Sequence, residues 1–251
     1  MLHIENLCKT FGGVNAVQNV SIRIKAGTIH AVIGPNGAGK TTLFNLITGV
    51  YVPTSGKIMF NGENVAGMSP DQLAGRGMSR TFQNLQICMN MSAIENVMTG
   101  AHLRLNHGLL AGMLRLPSLC AQDRLCRDEA AQLMHFAGVG QYLTSSASQL
   151  SYGVLKRLEI ARALAARPAI LLLDEPAAGL NPSETGEIEE LISKVAKSGV
   201  SIVLVEHDMK LVMNLSDTIS VLDYGKKLTE GSPAEVRANP DVIAAYLGAS
   251  T

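Results

Sequence analysis

The stretch GPNGAGKT, Gly34 to Thr41, constrains this chain more than any other feature. It fits the spacing G-x-x-x-x-G-K-[ST], follows the apolar run TIHAVIG and precedes TLFNLITG, which has helical periodicity. A strand must therefore end where the glycines begin, and a helix must start where they stop. Glycines permit backbone torsions that turn successive amides inward. Those amides and the positive end of the helix hold phosphate oxygens. Asn36, Gly37, Ala38 and Gly39 belong to this cradle. Lys40 brings a cation to the β- and γ-phosphates, Thr41 offers a hydroxyl to Mg²⁺, and Thr42 can reach the α-phosphate.

The run ILLLDEP supplies a complementary half. Its apolar residues bury a strand and deliver Asp174 to the C-terminal end, where open α/β sheets bind ligands. A carboxylate there can hold Mg²⁺ through water. Glu175, one step further out, is suited to polarise an attacking water.

The rest of the chain fits an α/β fold around such a phosphate-loop core. LHIENL and VSIRI alternate as antiparallel strands, and Asn61-Gly62 in KIMFNGENV marks a two-residue hairpin. From about 92 to 150 the pattern turns helical, which predicts a helical subdomain inserted into the nucleotide core. A helix over 155–166, a buried strand over 169–174, a helix over 183–198 and the strand SIVLVEH follow. That alternation predicts a mostly parallel sheet covered on both faces. The tail TISVLDYGKKLTEG reads as a hairpin. Ser232 and Glu235 form a capping box ahead of short helices over about 232–248. The expectation is one domain, 1–251, with an antiparallel β subdomain at its start.

Composition excludes several classes. Lys+Arg and Asp+Glu are both 21, and Trp is absent, so no basic or aromatic surface suggests nucleic acid. Cys8, Cys88, Cys120 and Cys126 have neither zinc nor Cys-x-x-Cys spacing and read as reduced structural thiols. The start lacks the pattern of a signal peptide, and no apolar run is long enough to span a membrane.

The phosphate loop, Gln83 in RTFQN, Ser151-Tyr152-Gly153 in LSYG, Asp174-Glu175-Pro176 and His207 in VEHD occur in one order. That order resembles the nucleotide-binding subunit of ATP-binding-cassette transporters, over essentially the whole chain. The resemblance implies ATP and Mg²⁺ as cofactors, with Thr41, Gln83 and Asp174 toward the metal. It implies that Glu175, His207 and Gln83 serve hydrolysis and that Phe11 stacks on adenine. Such subunits dimerise head to tail, so Ser151, Tyr152 and Gly153 would face the γ-phosphate held by the other subunit. Leu180 and Asn181, in AGLNP, correspond to a loop that crosses the dimer. The chain departs from the family pattern Leu-Ser-Gly-Gly-Gln at Tyr152 and Val154, and Asn181 stands where Asp is usual. Val154 lacks a polar side chain for the partner's ribose, which predicts weakened closure.

RTFQN, LSYG, DEPAAGLNP and EVRANPDVIAAYLG resemble the branched-chain amino-acid importers of that family. This implies a peripheral ATPase on the cytoplasmic face of the inner membrane. Its partners would be two membrane permease subunits, a second ATPase subunit, identical or not, and indirectly an extracytoplasmic substrate-binding protein. Leu85, Ile87, Met89 and Met91 are candidates for the groove that receives a permease helix, or for subdomain core. Urea-like or aromatic-acid cargo and a soluble regulatory cassette remain the alternatives.

Overall fold

The computed structural model describes residues 1–104 and 117–248; part of the inserted segment, 105–116, and 249–251 lie outside the described residues. The chain begins with β1 (Leu2–Phe11), β2 (Val14–Ile24) and β3 (Ile29–Ile33), and β3 feeds α1 (Lys40–Ile47). A hairpin, β4 (Ser55–Phe60) and β5 (Glu63–Asn64), leads to α2 (Pro70–Gly75) and β6 (Met78–Arg80). The helical part contains α3 (Ala93–Thr99) and α4 (Pro117–Phe136), and α5 (Tyr152–Ala165) returns to the core. Then β7 (Ile170–Asp174), α6 (Pro182–Lys197), β8 (Ser201–Val205) and α7 (Met209–Leu215) alternate. The hairpin β9 (Thr218–Asp223) and β10 (Lys226–Gly231) precedes α8 (Pro233–Ala238) and α9 (Pro240–Gly248).

Two sheets organise these elements. The larger has the order β10-β9-β3-β8-β7-β6, parallel except for the β9–β10 hairpin. The smaller, β2-β1-β4-β5, is antiparallel. The α/β class, the mostly parallel core, the antiparallel sheet and the helical part are all as the sequence implied.

Every residue of β3, β7 and β8 is buried, as strands covered on both faces require. Their side chains alternate between two cores. Leu171, Leu173, Ile202 and Leu204 pack with α5, α6 and the helical part. Ile170, Leu172, Val203 and Val205 pack with α1 and the antiparallel sheet. The parallel sheet is thus the middle layer, and its carboxyl edge carries the ends of β3, β7 and β8 together.

Local chemistry explains most boundaries. Asn61 and Gly62 both adopt positive φ, 50° and 88°, as the two-residue hairpin demands. Tyr224 and Gly225 repeat that geometry between β9 and β10. Asn181 caps α6 by accepting from the Ser183 and Glu184 amides, and Pro182 opens the helix. Ser232 and Glu235 make the expected capping box on α8.

Several elements differ from the sequence reading. Helix α5 starts three residues earlier than expected, because Ser151 is extended and Leu155 already donates to its carbonyl. Short α2, β6 and α7 had no apolar period long enough to register. β6 exists because β7 recruits it: Met78, Ser79 and Arg80 pair with Ile170, Leu171 and Leu172. No helix among the described residues is long and apolar enough to cross a membrane.

Leu204 is fully buried in the central strand β8, whereas Leu228 is exposed. In chemical denaturation, Leu204→Ala is expected to cost about 2–5 kcal/mol, the range for a buried leucine truncation. Leu228→Ala should cost less than about 0.5 kcal/mol. Equal losses would contradict the two-faced burial of the parallel sheet.

Candidate active site

The phosphate loop lies between β3 and α1. Gly39 occupies the N-cap of α1 at φ 98°. A Cβ there would come within 2.5 Å of the Ala16 carbonyl oxygen, so β2 and the loop can meet only at glycine. No acidic side chain lies in the first turn of α1 and no side chain caps it, so its amides and dipole face outward. Lys40 folds back over the loop and donates to the carbonyls of Gly34 at 2.7 Å and Pro35 at 3.0 Å. Burial pushes its ammonium below the usual lysine value, while the carboxylates of Glu175 and Asp174 pull it back. An open cleft of about 470 Å³ sits over the loop, lined by Asn36 to Thr42, Asn15, Ala16, Glu175 and Tyr224 among others.

Glu175 closes the far side, directly after Asp174. Asp174 ends β7 with its side chain 6% exposed, and Arg80 donates to its Oδ2 at 2.7 Å. The same guanidinium donates to Asn45 Oδ1 at 2.6 Å and Thr48 Oγ1 at 2.9 Å, both at α1. Glu175 has φ 48°, a left-handed conformation rare for a glutamate, and its amide bonds to the Val205 carbonyl. Backbone strain of this kind gathers at functional sites. The Gln83 amide donates to Glu175 Oε2 at 2.9 Å. His207 Nδ1 lies 3.8 Å from the same oxygen, and the His207 side chain is 67% exposed.

Two residues here escaped the sequence reading. Arg80, the first residue of RTFQN, compensates the buried aspartate. Glu206, 1% exposed, accepts from the amides of Ala177, His207 and Asp208, and so holds the turn after β8 against the turn after β7. The only available signal was a charge inside an apolar strand end, VLVEHD. A third link comes from the tail, where Tyr246 shares a hydrogen bond with the backbone of Gly34.

The Ser151 region stands apart from this cleft. Of the expected site residues, Phe11, Gln83, Ser151, Tyr152, Gly153, Asp174, Leu180, Asn181 and His207 are absent from the cleft lining among the described residues. Ser151 is exposed, and its hydroxyl makes no capping bond at α5, unlike Ser92, Asn181, Asp208 and Ser232 at their helices. Gly153 lies inside the first turn of α5, not in a turn before it. A Cβ there would meet Glu184 Oε1 at 2.5 Å, so this glycine admits the start of α6. The Tyr152 ring lies against Gly179, which ties it to the loop carrying Leu180 and Asn181. Val154 is buried in the core. Phe11 is exposed and packs edge-on to Tyr51, with ring centres 5.2 Å apart and Lys9 over its face.

Ile87 is buried in the helical core and Leu85 packs against it, while Met89 and Met91 are exposed. The cleft nearest this segment has other walls. About 240 Å³ in volume, it is lined by Thr48, Val50, Leu73, Met78, Phe82 and Leu103 among others.

Comparison with known proteins agrees with this geometry. Residues 17–178 match the ABC transporter family, and residues 226–250 match the family described as branched-chain amino acid ATP-binding cassette transporter. The chain is 44% identical to the high-affinity branched-chain amino acid transport ATP-binding protein BraF of Pseudomonas aeruginosa, over 99% of this chain and 98% of that one. It is 45% identical to LivG of Escherichia coli, a high-affinity branched-chain amino acid transport ATP-binding protein, with the same coverage. The ADP conformation of MJ1267, an ATP-binding cassette of an ABC transporter, superposes with TM-score 0.85 at 28% identity, covering 99% and 98% of the two chains. A dimeric post-hydrolysis cassette, MJ0796 bound to ADP and Pi, gives TM-score 0.78 at 25% identity, covering 93% and 99%. The chain belongs to the ATP-binding subunits of the ABC transporter family and is an ATPase.

Proposed function

We propose that this chain is the peripheral ATPase of an importer for branched-chain or related amino acids, and that it hydrolyses ATP between two cassettes. The observation that carries this reading is the split site. Lys40 and Glu175 line one cleft, Gln83 is bonded to Glu175 and Asp174 directly precedes it, while the exposed Ser151 hydroxyl and the open start of α5 lie outside the lining. A second cassette, presenting its own Ser151 to Gly153, would complete the cage around the γ-phosphate. Leu180 and Asn181 lie on the loop against Tyr152 and would cross the same interface.

Within one site, the amides of Asn36 to Gly39 and the start of α1 bind the phosphates, with Lys40 as the counter-charge. Thr41, Gln83 and Asp174 form an all-oxygen donor set, which suits a hard cation that keeps water and phosphate ligands. Bound Mg²⁺ would neutralise charge on the β- and γ-phosphates. The Gln83 amide donates to Glu175 Oε2 and so aims the carboxylate. Glu175 orients the attacking water and takes its proton, and His207 approaches the γ-phosphate from the next turn. Phe11, with Tyr51 and Lys9 around it, offers an aromatic face to adenine.

The partners follow from the same reading. The apolar cleft between α1, α2, β6 and α5 takes a short helix from a membrane permease subunit. Two permease subunits and a binding protein outside the membrane complete the importer. Cargo is assigned from the C-terminal match and from what the relatives are named for transporting. Uptake of radiolabelled leucine into cells is expected to need this chain and to fail in a Lys40→Ala strain. Undiminished leucine uptake would overturn the cargo.

Glu175→Gln should leave ATP binding intact, slow hydrolysis at least about 100-fold and trap an ATP-held dimer. Native turnover in that variant would remove Glu175 from its role. Ser151→Ala should lower kcat while the isolated chain still binds a fluorescent ATP analogue as before. Parallel loss of both would make Ser151 a purely local residue.

A further inference from the structure

Two hairpins of this chain turn on two residues, and they differ in one side chain. Asn61-Gly62 joins β4 to β5, and Tyr224-Gly225 joins β9 to β10. The closing pairs are equivalent, Phe60 opposite Glu63 and Asp223 opposite Lys226. The torsions are equivalent too: φ is 50° and 88° in the first turn, 42° and 78° in the second. Such a turn needs two left-handed residues, so Asn-Gly is its favoured sequence. Asparagine tolerates that backbone because its short amide can bond locally, which a phenol ring cannot do. For a bulky side chain, positive φ is an outlier. Tyr224 therefore holds its position against local preference, and departures of this kind gather at functional sites.

The backbone of the β9–β10 turn is fastened to the phosphate loop. The Gly225 amide donates to the Ala38 carbonyl at 3.0 Å, and the Gly225 carbonyl accepts from the Gln18 amide at 2.7 Å. The Gln18 side chain donates to the Tyr224 carbonyl at 3.2 Å. A Cβ on Gly225 would come within 2.8 Å of the Ala16 carbonyl oxygen, so β2 and the turn meet closely there. The Tyr224 side chain is the opposite case. The residue is 83% exposed, more than any other large hydrophobic among the described residues. Its hydroxyl has no hydrogen-bond partner among the described residues. Tyr224 lines the phosphate-loop cleft and also a neighbouring cleft of about 490 Å³, and Asn36, Gly37 and Ala38 are common to both. The phenol thus stands on the rim beside the tip of the phosphate loop.

We infer that Tyr224 is a nucleotide-binding residue, whose hydroxyl donates to a phosphate oxygen of the nucleotide held in the phosphate-loop cleft. Burial does not keep the ring in place, since the ring is exposed. What the residue adds is a donor. The other hydroxyls in the cleft lining, those of Thr41 and Thr42, come from α1, and Tyr224 brings one from the C-terminal hairpin. An O–H group bonded to an anionic oxygen makes a short, charge-assisted bond. The bonds from Gly225 to Ala38 and from Gln18 to Tyr224 hold the turn in register with the loop, so the hydroxyl and the loop amides reach one ligand together. The inference rests on the reading that nucleotide occupies the phosphate-loop cleft.

The test uses two substitutions in the full-length chain. Tyr224→Asn restores the residue that the turn prefers, and Tyr224→Phe removes the hydroxyl alone. Thermal unfolding without nucleotide reads the turn, and titration with a non-hydrolysable ATP analogue reads the contact. Tyr224→Asn is expected to unfold at the native temperature or higher, yet to bind the analogue about tenfold more weakly, the scale of a lost hydrogen bond to a charged group. Tyr224→Phe should weaken binding to a similar degree with unfolding unchanged. In hydrolysis, both variants should raise KM for ATP and keep kcat. Native affinity in Tyr224→Phe would overturn the hydroxyl contact. Affinity lost together with a lower unfolding temperature in Tyr224→Asn would make Tyr224 a residue of the turn alone and overturn the inference. Lys40→Ala, titrated in parallel, keeps the failures apart. Undiminished binding in that variant would sink the phosphate-loop reading itself, whatever the Tyr224 variants do.

Discussion

The buried pair of Arg80 and Asp174 is the interaction on which the rest of the site depends. An apolar strand that ends in a carboxylate 6% exposed must compensate that charge or lose it. Arg80 does so at 2.7 Å, and its guanidinium lies between the rings of Phe44 and Phe82 at 5.7 and 4.9 Å. Its remaining bonds to Asn45 and Thr48 fasten α1 to β6 and β7. One side chain thereby fixes the phosphate loop's helix and the Asp174 carboxylate relative to each other. Removing either partner of such a buried pair leaves a lone charge and costs about 3–5 kcal/mol. Arg80 Nε is buried and has no hydrogen-bond partner among the described residues, a cost that the guanidinium's other bonds must offset.

From that anchor the other groups follow by short steps. Parallel strands bring their carboxyl ends to one edge, so the phosphate loop after β3, Asp174 after β7 and His207 after β8 converge there. Glu175 turns into the left-handed region immediately beyond Asp174, held by the Val205 carbonyl. Glu206 then braces the β8 turn against Ala177. Gln83 arrives from β6, the strand that carries Arg80. The candidate base is thus set by backbone on one side and by an amide on the other. Neither constraint depends on solvent-exposed ion pairs, which contribute little in water.

Most of this was legible in the sequence because it rests on local patterns. The phosphate loop, Asp174 and Glu175 sit where an apolar strand must stop, and the capping boxes name their helices. What was not legible rests on contacts distant in sequence. β6 has three residues and no period, and exists because Ile170 to Leu172 offer it a ladder. Arg80 and Glu206 are charges whose partners lie in other elements. Helix α5 starts before the expected residue 155 because Gly153 sits inside its first turn. Its lack of a side chain serves Glu184 of the next helix, a fact that spacing cannot carry.

The treatment of helix starts in this chain separates those capped by a side chain from those left open, Gly39 and Ser151 among them. Ser92, Asn181, Asp208 and Ser232 each turn a side-chain oxygen onto their own helix amides. Such a bond stabilises a helix by about 1 kcal/mol. Ser151 has the right side chain and the right extended backbone for the same bond, yet its hydroxyl makes none. Gly153 adds no side chain over the amides beside it, and the Tyr152 ring lies against Gly179, toward the neighbouring loop. On the proposed two-cassette reading, that stabilisation would come from an external acceptor reaching those amides, and a γ-phosphate carries the charge that matches the helix dipole. Contacts absent from the open state and present in the closed one are what allow a ligand to shift a population. On the proposed two-cassette reading, a helix start left uncapped is the local feature through which nucleotide would favour closure.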